Sequence, residues 1–166
     1  MSPTALTRTW PALGGWGSGL VQLALGAGMV TGTGAGARAL GAVLVAIGAG
    51  TLAWGVVRLT GDRGTRTGVA VGVAGILAPG AALLVDPVHA SVLAVAAAVV
   101  LSLVVGIGAA FGLRRGPGAY APAGMTGILV GSVLVAALVT PALAATEAGR
   151  FATDHGAHSV PAEHTH

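Results

Sequence analysis

A short polar turn separates two long apolar runs in the segment Leu83-Leu84-Val85-Asp86-Pro87-Val88-His89-Ala90-Ser91-Val92-Leu93. The nearest other charged side chains are Arg66 on the N-terminal side and Arg114 on the C-terminal side. A helix of about 20 apolar residues crosses the hydrocarbon core of a bilayer, and each of these runs is that long. The turn therefore predicts a hairpin of two membrane-spanning helices.

The composition of the whole chain is that of an integral membrane protein. Of 166 residues, 54% are hydrophobic and only 8% are charged, against about 25% charged in soluble domains. The net charge of +3 comes from scattered arginines, with no cationic cluster of the kind that binds nucleic acid. The chain has no Cys, which excludes disulfides and thiolate metal ligands. The partner that this composition predicts is the lipid bilayer.

Intervals without charge place the helices. The sequence predicts an all-α bundle of five transmembrane helices at about 13–31, 37–59, 68–85, 88–111 and 123–143, within a membrane domain of residues 1–143. Strands are excluded because an open sheet edge cannot face lipid and the runs lack the alternation of a barrel wall. Residues 144–166 change to Thr, Glu, Asp, His and Pro, which predicts a disordered polar tail.

The arginines predict the orientation, because cytoplasmic loops are enriched in basic residues. An N-in arrangement places six of them inside, namely Arg8, Arg58, Arg63, Arg66, Arg114 and Arg115, and leaves Arg38 and Arg150 outside. Five spans then put the C-terminus outside. The same threading brings all five histidines to the outer face.

A C-terminal stretch carries a resemblance to known proteins. Thr140-Pro141-Ala142-Leu143-Ala144-Ala145-Thr146-Glu147-Ala148-Gly149-Arg150, followed by a His-bearing tail, resembles the C-terminus of small multi-spanning membrane proteins of actinobacterial type. That group has no assigned activity, so no site residues carry over. The resemblance implies a bacterial protein of the inner (plasma) membrane.

The histidines are the candidate metal ligands. Imidazole suits Cu and Zn, and short His-rich tracts are typical of metal binding. The candidates are His155, His158, His164 and His166 of the tail, together with His89 in the turn. The alternative is a solvated tail whose imidazoles only titrate. For Asp86 the favoured role is to cap the fourth span, with Pro87 as the first helical residue.

Other motifs favour packing over chemistry. Gln22 is polar in mid-span and is expected to bond a neighbouring helix, with a substrate contact as the alternative. Ser18 has no base near it, so we expect no catalytic centre and no enzyme activity. The glycine-rich segment 32–39 joins two spans and predicts a turn rather than a nucleotide site. Aromatic residues near span ends are expected at the membrane interface; they are Trp10, Trp16, Trp54 and Tyr120.

Glycines spaced four apart let helix backbones approach closely. The pairs are Gly15/Gly19, Gly28/Gly32, Gly68/Gly72, Gly108/Gly112 and Gly127/Gly131. Packing within the chain is favoured, and a face for a homo-oligomer or a partner membrane protein is the alternative. The sequence thus predicts an accessory or structural membrane protein without a resident cofactor. The alternatives are outer-face Cu or Zn handling through the tail, and a small-solute transporter subunit acting as an oligomer.

Overall fold

The computed structural model describes residues 6–32, 34–60, 65–115, 125–146 and 149. These residues form helices joined by turns, and no strand occurs among them. The helices are α1 (Leu6–Val30), α2 (Ala35–Thr60), α3 (Thr65–Val85), α4 (Val92–Arg115) and α5 (Met125–Ala144). The prediction of an all-α protein is confirmed.

Four of these helices are long and apolar enough to cross a membrane. They are α2 over Ala35–Leu59, α3 over Arg66–Val85, α4 over Val92–Arg114 and α5 over Met125–Ala144. The chain therefore has the helices of a multi-pass membrane protein. The helix α1 is not among them, so the count of five spans and the N-in orientation stay predictions.

The position of α1 explains its more polar sequence. This helix contacts each of the other helices, and its side chains Ser18, Val21 and Gln22 are fully buried. Polar groups in a membrane bundle are tolerated where protein, and not lipid, surrounds them. The least apolar of the helices is thus the central one, and the more apolar helices carry most of the exposed large apolar side chains.

Helices that follow one another in the chain run in alternating directions. Gly19 and Gly26 of α1 meet Gly48 and Gly41 of α2 respectively, which makes this pair antiparallel. Contacts of Gly72 with Gly106 and of Gly75 with Ser102 make α3 and α4 antiparallel as well. Leu13 and Gly17 of α1 lie against Gly131 and Val135 of α5, so those helices are parallel. The turn at 86–91 therefore lies at the end of the bundle where α1 ends, opposite Arg58 and Arg66.

The contact between α1 and α2 is a glycine seam made by Gly19, Gly26, Gly41 and Gly48. A Cβ on Gly26 would lie 2.6 Å from the carbonyl oxygen of Gly41, and one on Gly41 would lie 2.8 Å from the carbonyl oxygen of Gly26. Gly19 and Gly48 show the same reciprocal approach at 2.8 Å. Without side chains at these positions the two backbones touch, which increases the dispersion attraction between the helices. In a lipid environment this attraction matters because the hydrophobic effect does not drive helices together.

Glycines of the predicted pairs, which are spaced four residues apart, also pack against other helices of the same chain. Gly15 and Gly68 both lie against the ring of Trp54, and Gly108 lies against Pro11. Trp54 is only 7% exposed, so this ring fills a gap between α1, α2 and α3. Its expected depth at the membrane interface stays a prediction. Trp16, by contrast, is 41% exposed beside Gly55.

Candidate functional site

A polar cluster of Ser18, Gln22 and Ser102 lies at the centre of the bundle. The two serine hydroxyls are 2.7 Å apart and join α1 to α4. The Gln22 amide donates from Nε2 to Ser18 Oγ at 2.7 Å. Ser18 Oγ also lies 3.4 Å from the carbonyl oxygen of Ala98. All three side chains are at most 2% exposed, so these bonds form in a low-dielectric interior.

The cluster leaves one strong acceptor unmatched. Within the described residues, no group donates a hydrogen bond to Gln22 Oε1, which is fully buried. A buried acceptor without a hydrogen-bond donor costs about 1–3 kcal/mol.

The middle of α3 closes the cluster from a third side. A Cβ on Gly75 would lie 3.0 Å from Ser102 Cβ and 3.2 Å from Gln22 Nε2, so only glycine fits there without displacing the cluster. Four residues later, Pro79 continues the helix without an N–H. The carbonyl of Gly75 therefore loses its usual helical donor. The backbone of α3 thus lies directly against the polar side chains of α1 and α4.

The polar cluster contains no ionisable side chain. None of the five helices contains Asp, Glu or His, so the cluster can bind a ligand only through hydrogen bonds. The sequence identified Gln22 as the mid-span polar residue, but its amide donates to Ser18 of the same helix, and it is Ser18 that bonds to Ser102 of the neighbouring helix. The sequence predicted that the first span begins at residue 13, five residues before Ser18. The helix begins at Leu6, and Ser18 lies in its middle.

The turn between α3 and α4 holds the second group of polar side chains. His89 Nδ1 lies 2.9 Å and 3.0 Å from the two carboxylate oxygens of Asp86. The backbone N–H of His89 donates to Asp86 Oδ1 at 3.3 Å. The side-chain hydrogen bond from His89 is the main cause that holds the pKa of Asp86 below its ordinary value. Asp86 and His89 therefore form an ion pair when the imidazole is protonated.

The role predicted for Asp86 as cap of the fourth span was wrong. Pro87, Val88 and His89 form a separate turn, closed by a hydrogen bond from the Ala90 N–H to the Asp86 carbonyl at 3.0 Å. The helix α4 begins at Val92, and its cap is Ser91, whose Oγ accepts from the Ala94 N–H at 3.3 Å. Asp86 caps the short turn, which leaves its carboxylate beside the imidazole.

Of the predicted metal ligands, only His89 lies within the described residues. His155, His158, His164 and His166 lie outside them, as does the predicted disordered tail beyond residue 149. In the described part of the chain, no group of three or more His, Cys, Asp or Glu side chains could hold a metal ion. The metal site predicted at this face stays a prediction.

Comparisons with protein-family models, with curated proteins and with solved structures find no match for this chain.

Proposed function

We propose that this chain is a structural or accessory protein of a bacterial plasma membrane, where its bundle supports a partner membrane protein or a second copy of itself. The observation that carries the proposal is the neutral polar cluster at the bundle centre. Ser18, Gln22 and Ser102 make their hydrogen bonds to one another and to the backbone, and Gln22 Oε1 is the one buried side-chain atom of the cluster without a partner among the described residues. Ion-coupled carriers place acidic or basic groups at this depth, and such groups mark their ion pathways.

The periphery supports the same function. Large apolar side chains are exposed on every helix, for example Leu20, Val43, Leu77, Ile107 and Leu129. A surface of this kind faces either lipid or another membrane protein. An accessory protein needs part of it for its partner and the rest for the bilayer.

Because the chain has no Cys, single cysteines can map that surface in native membranes. We would place one cysteine at a time at Leu20, Val43, Leu77, Ile107 and Leu129, one exposed position on each helix, and treat membranes with a bifunctional thiol reagent. Adducts of defined mass are expected from one face of the bundle. Adducts formed equally from all positions, or from none, would contradict an accessory role.

Transport is separated from support by reconstitution. Proteoliposomes that carry the chain should pass ions and small polar solutes no faster than protein-free liposomes. Flux that is lost when Gln22 is replaced by Leu would refute the proposal and establish the transporter alternative. Val133→Leu, at a lipid-facing position on α5, is the control that should leave either result unchanged.

A second candidate function is Cu or Zn handling at the end of the bundle that carries His89. The specific observation is the Asp86–His89 pair, because a carboxylate bonded to one ring nitrogen is the usual outer partner of a metal-binding histidine. The remaining ligands would come from the tail histidines. Micromolar Zn²⁺ should shift the imidazole NMR signals, and Asp86→Asn should weaken binding about 10- to 100-fold. Signals that stay in place at that concentration exclude this function.

A further inference from the structure

An apolar cavity of about 160 Å³ lies between α1, α4 and α5. Its lining includes Trp10 and Leu13 of α1, Val100 and Val104 of α4, and Leu134 and Leu138 of α5. Val100, Leu134 and Leu138 are each more than 40% exposed, so the cavity opens onto the outer surface of the bundle. Its size is close to that of the engineered cavity of about 150 Å³ that binds benzene. It therefore admits a segment of an alkyl chain.

One polar atom adjoins this cavity without a partner. Trp10 Nε1 is buried, and no described group accepts its hydrogen. The atom lies 3.7 Å from the position of a Cβ on Gly131, a residue that also lines the cavity. A buried indole N–H normally finds an acceptor. Leu13 Cδ1 lies 2.8 Å from the same Cβ position, so an acceptor from the cavity reaches the indole N–H when this Leu side chain changes rotamer.

We infer that this cavity binds one acyl chain of a membrane phospholipid, with the ester carbonyl oxygen accepting a hydrogen bond from Trp10 Nε1. The inference goes beyond the structural role proposed above and depends only on the bundle lying in a bilayer. Acyl chains are the apolar molecules that surround an opening on such a surface. They also join an apolar chain to a carbonyl acceptor, which is the combination that this cavity offers.

The depth of the residues fits this occupant. Trp10 lies near the start of α1, at the end of the bundle where α4 ends and α5 begins. Leu138 lies beyond the midpoint of α5, farther from that end. In a bilayer the ester groups lie near the surface and the chains extend toward the middle. A lipid of the leaflet at that end therefore enters with its carbonyl at Trp10 and its chain along Leu134 and Leu138.

Native mass spectrometry of the full chain tests the site. We would extract the protein from vesicles of phosphatidylethanolamine and phosphatidylglycerol with ester-linked oleoyl chains, and measure the fraction that retains a phospholipid. Val100→Phe fills the cavity and should abolish retention. Val130→Phe is the matched control, because Val130 is 46% exposed and Val100 is 47% exposed, yet only Val100 lines the cavity. Equal retention by both variants, or none by the wild type, overturns the inference.

The hydrogen bond has its own test, which does not depend on whether Val100→Phe folds. Ether-linked phospholipids lack the carbonyl but keep the chain. In competition, the wild-type protein should retain the ester lipid about 2- to 10-fold more than the ether lipid, the ratio expected for one hydrogen bond. Trp10→Phe keeps an aromatic ring and should bring that ratio to unity. A wild-type ratio of unity, or a dimer that binds no lipid and so indicates a second copy in the cavity, would overturn the assignment.

Discussion

Replacing Gly26 by Ala should separate α1 from α2. The added Cβ would lie 2.6 Å from the Gly41 carbonyl oxygen and 2.9 Å from the Val45 backbone nitrogen. Both neighbours are backbone atoms that cannot rotate away. To restore ordinary contact at 3.4 Å, the helices must move apart by about 0.8 Å, and a gap of 0.5–1 Å forfeits roughly a quarter to a half of each dispersion contact.

The magnitude follows from two opposed effects. Overpacking of this kind costs about 1–3 kcal/mol in the free energy of unfolding. Alanine is favoured over glycine in a helix by about 1 kcal/mol, which partly offsets the loss. Gly50→Ala in α2 is the matched control, since a Cβ there meets nothing within 4 Å. The helix preference cancels between the two variants, so Gly26→Ala should be less stable than Gly50→Ala by about 1–3 kcal/mol.

Unfolding in mixed micelles, with increasing denaturing detergent and circular dichroism as the signal, measures this difference. The double variant Gly26→Ala/Gly41→Ala extends the test, because the first substitution already separates the backbones that the second would crowd. Its cost should fall well below the sum of the single costs. Equal stability of Gly26→Ala and Gly50→Ala, or costs that simply add in the double variant, would show that the glycine seam does not set the distance between α1 and α2.

Further predictions concern the two polar groups. Ser18→Ala should destabilise the bundle by about 1–3 kcal/mol in the same unfolding measurement, because it leaves Ser102 and the Gln22 amide without their common partner. Gln22→Leu should leave the free energy of unfolding nearly unchanged, since it removes an acceptor that has no donor within the described residues. A loss of stability as large as that of Ser18→Ala would contradict this interpretation of the cluster. In the turn at 86–91, the carboxylate of Asp86 should titrate by NMR below the usual range, and His89→Ala should raise that pKa. The sign follows from the lowered pKa: the stabilising contact is complete above the unfolded-state pKa and is lost as pH falls through the folded-state pKa. A pKa unchanged by His89→Ala would refute the cause assigned to the shift.

The sequence located helices well because a single physical effect dominates there. Charged side chains are excluded from long apolar runs, so the charge-free intervals correspond to helices throughout the described chain. Local capping was harder to predict. Asp86-Pro87 and Ser91 are both acceptable starts for a helix, and a five-residue separation gives the turn room to form before α4 begins at Val92. Two valid local signals competed, and only the packing of the bundle decides between them.

The packing partners were beyond reach of the sequence. In a helix that is apolar on all sides, periodicity does not distinguish the lipid-facing side from the protein-facing side. The contacts of Ser18 with Ser102, and of Trp54 with Gly15 and Gly68, therefore have no periodic pattern in the sequence that predicts them. The useful signal was present in a weaker form: Ser18 and Ser102 are hydroxyls within glycine- and alanine-rich stretches, where close helix contacts are expected.

The central place of α1 has a consequence for the order of synthesis. Within this chain, the ribosome makes α1 before any helix that will surround it. When Gln22 and Ser18 first leave the ribosome, α3 and α4, which enclose them in the finished bundle, do not yet exist. The first neighbour to arrive is α2, and the glycine seam gives it an immediate fit to α1. The two helices therefore suit insertion as a joined hairpin, with the later helices closing over the side that α2 leaves uncovered.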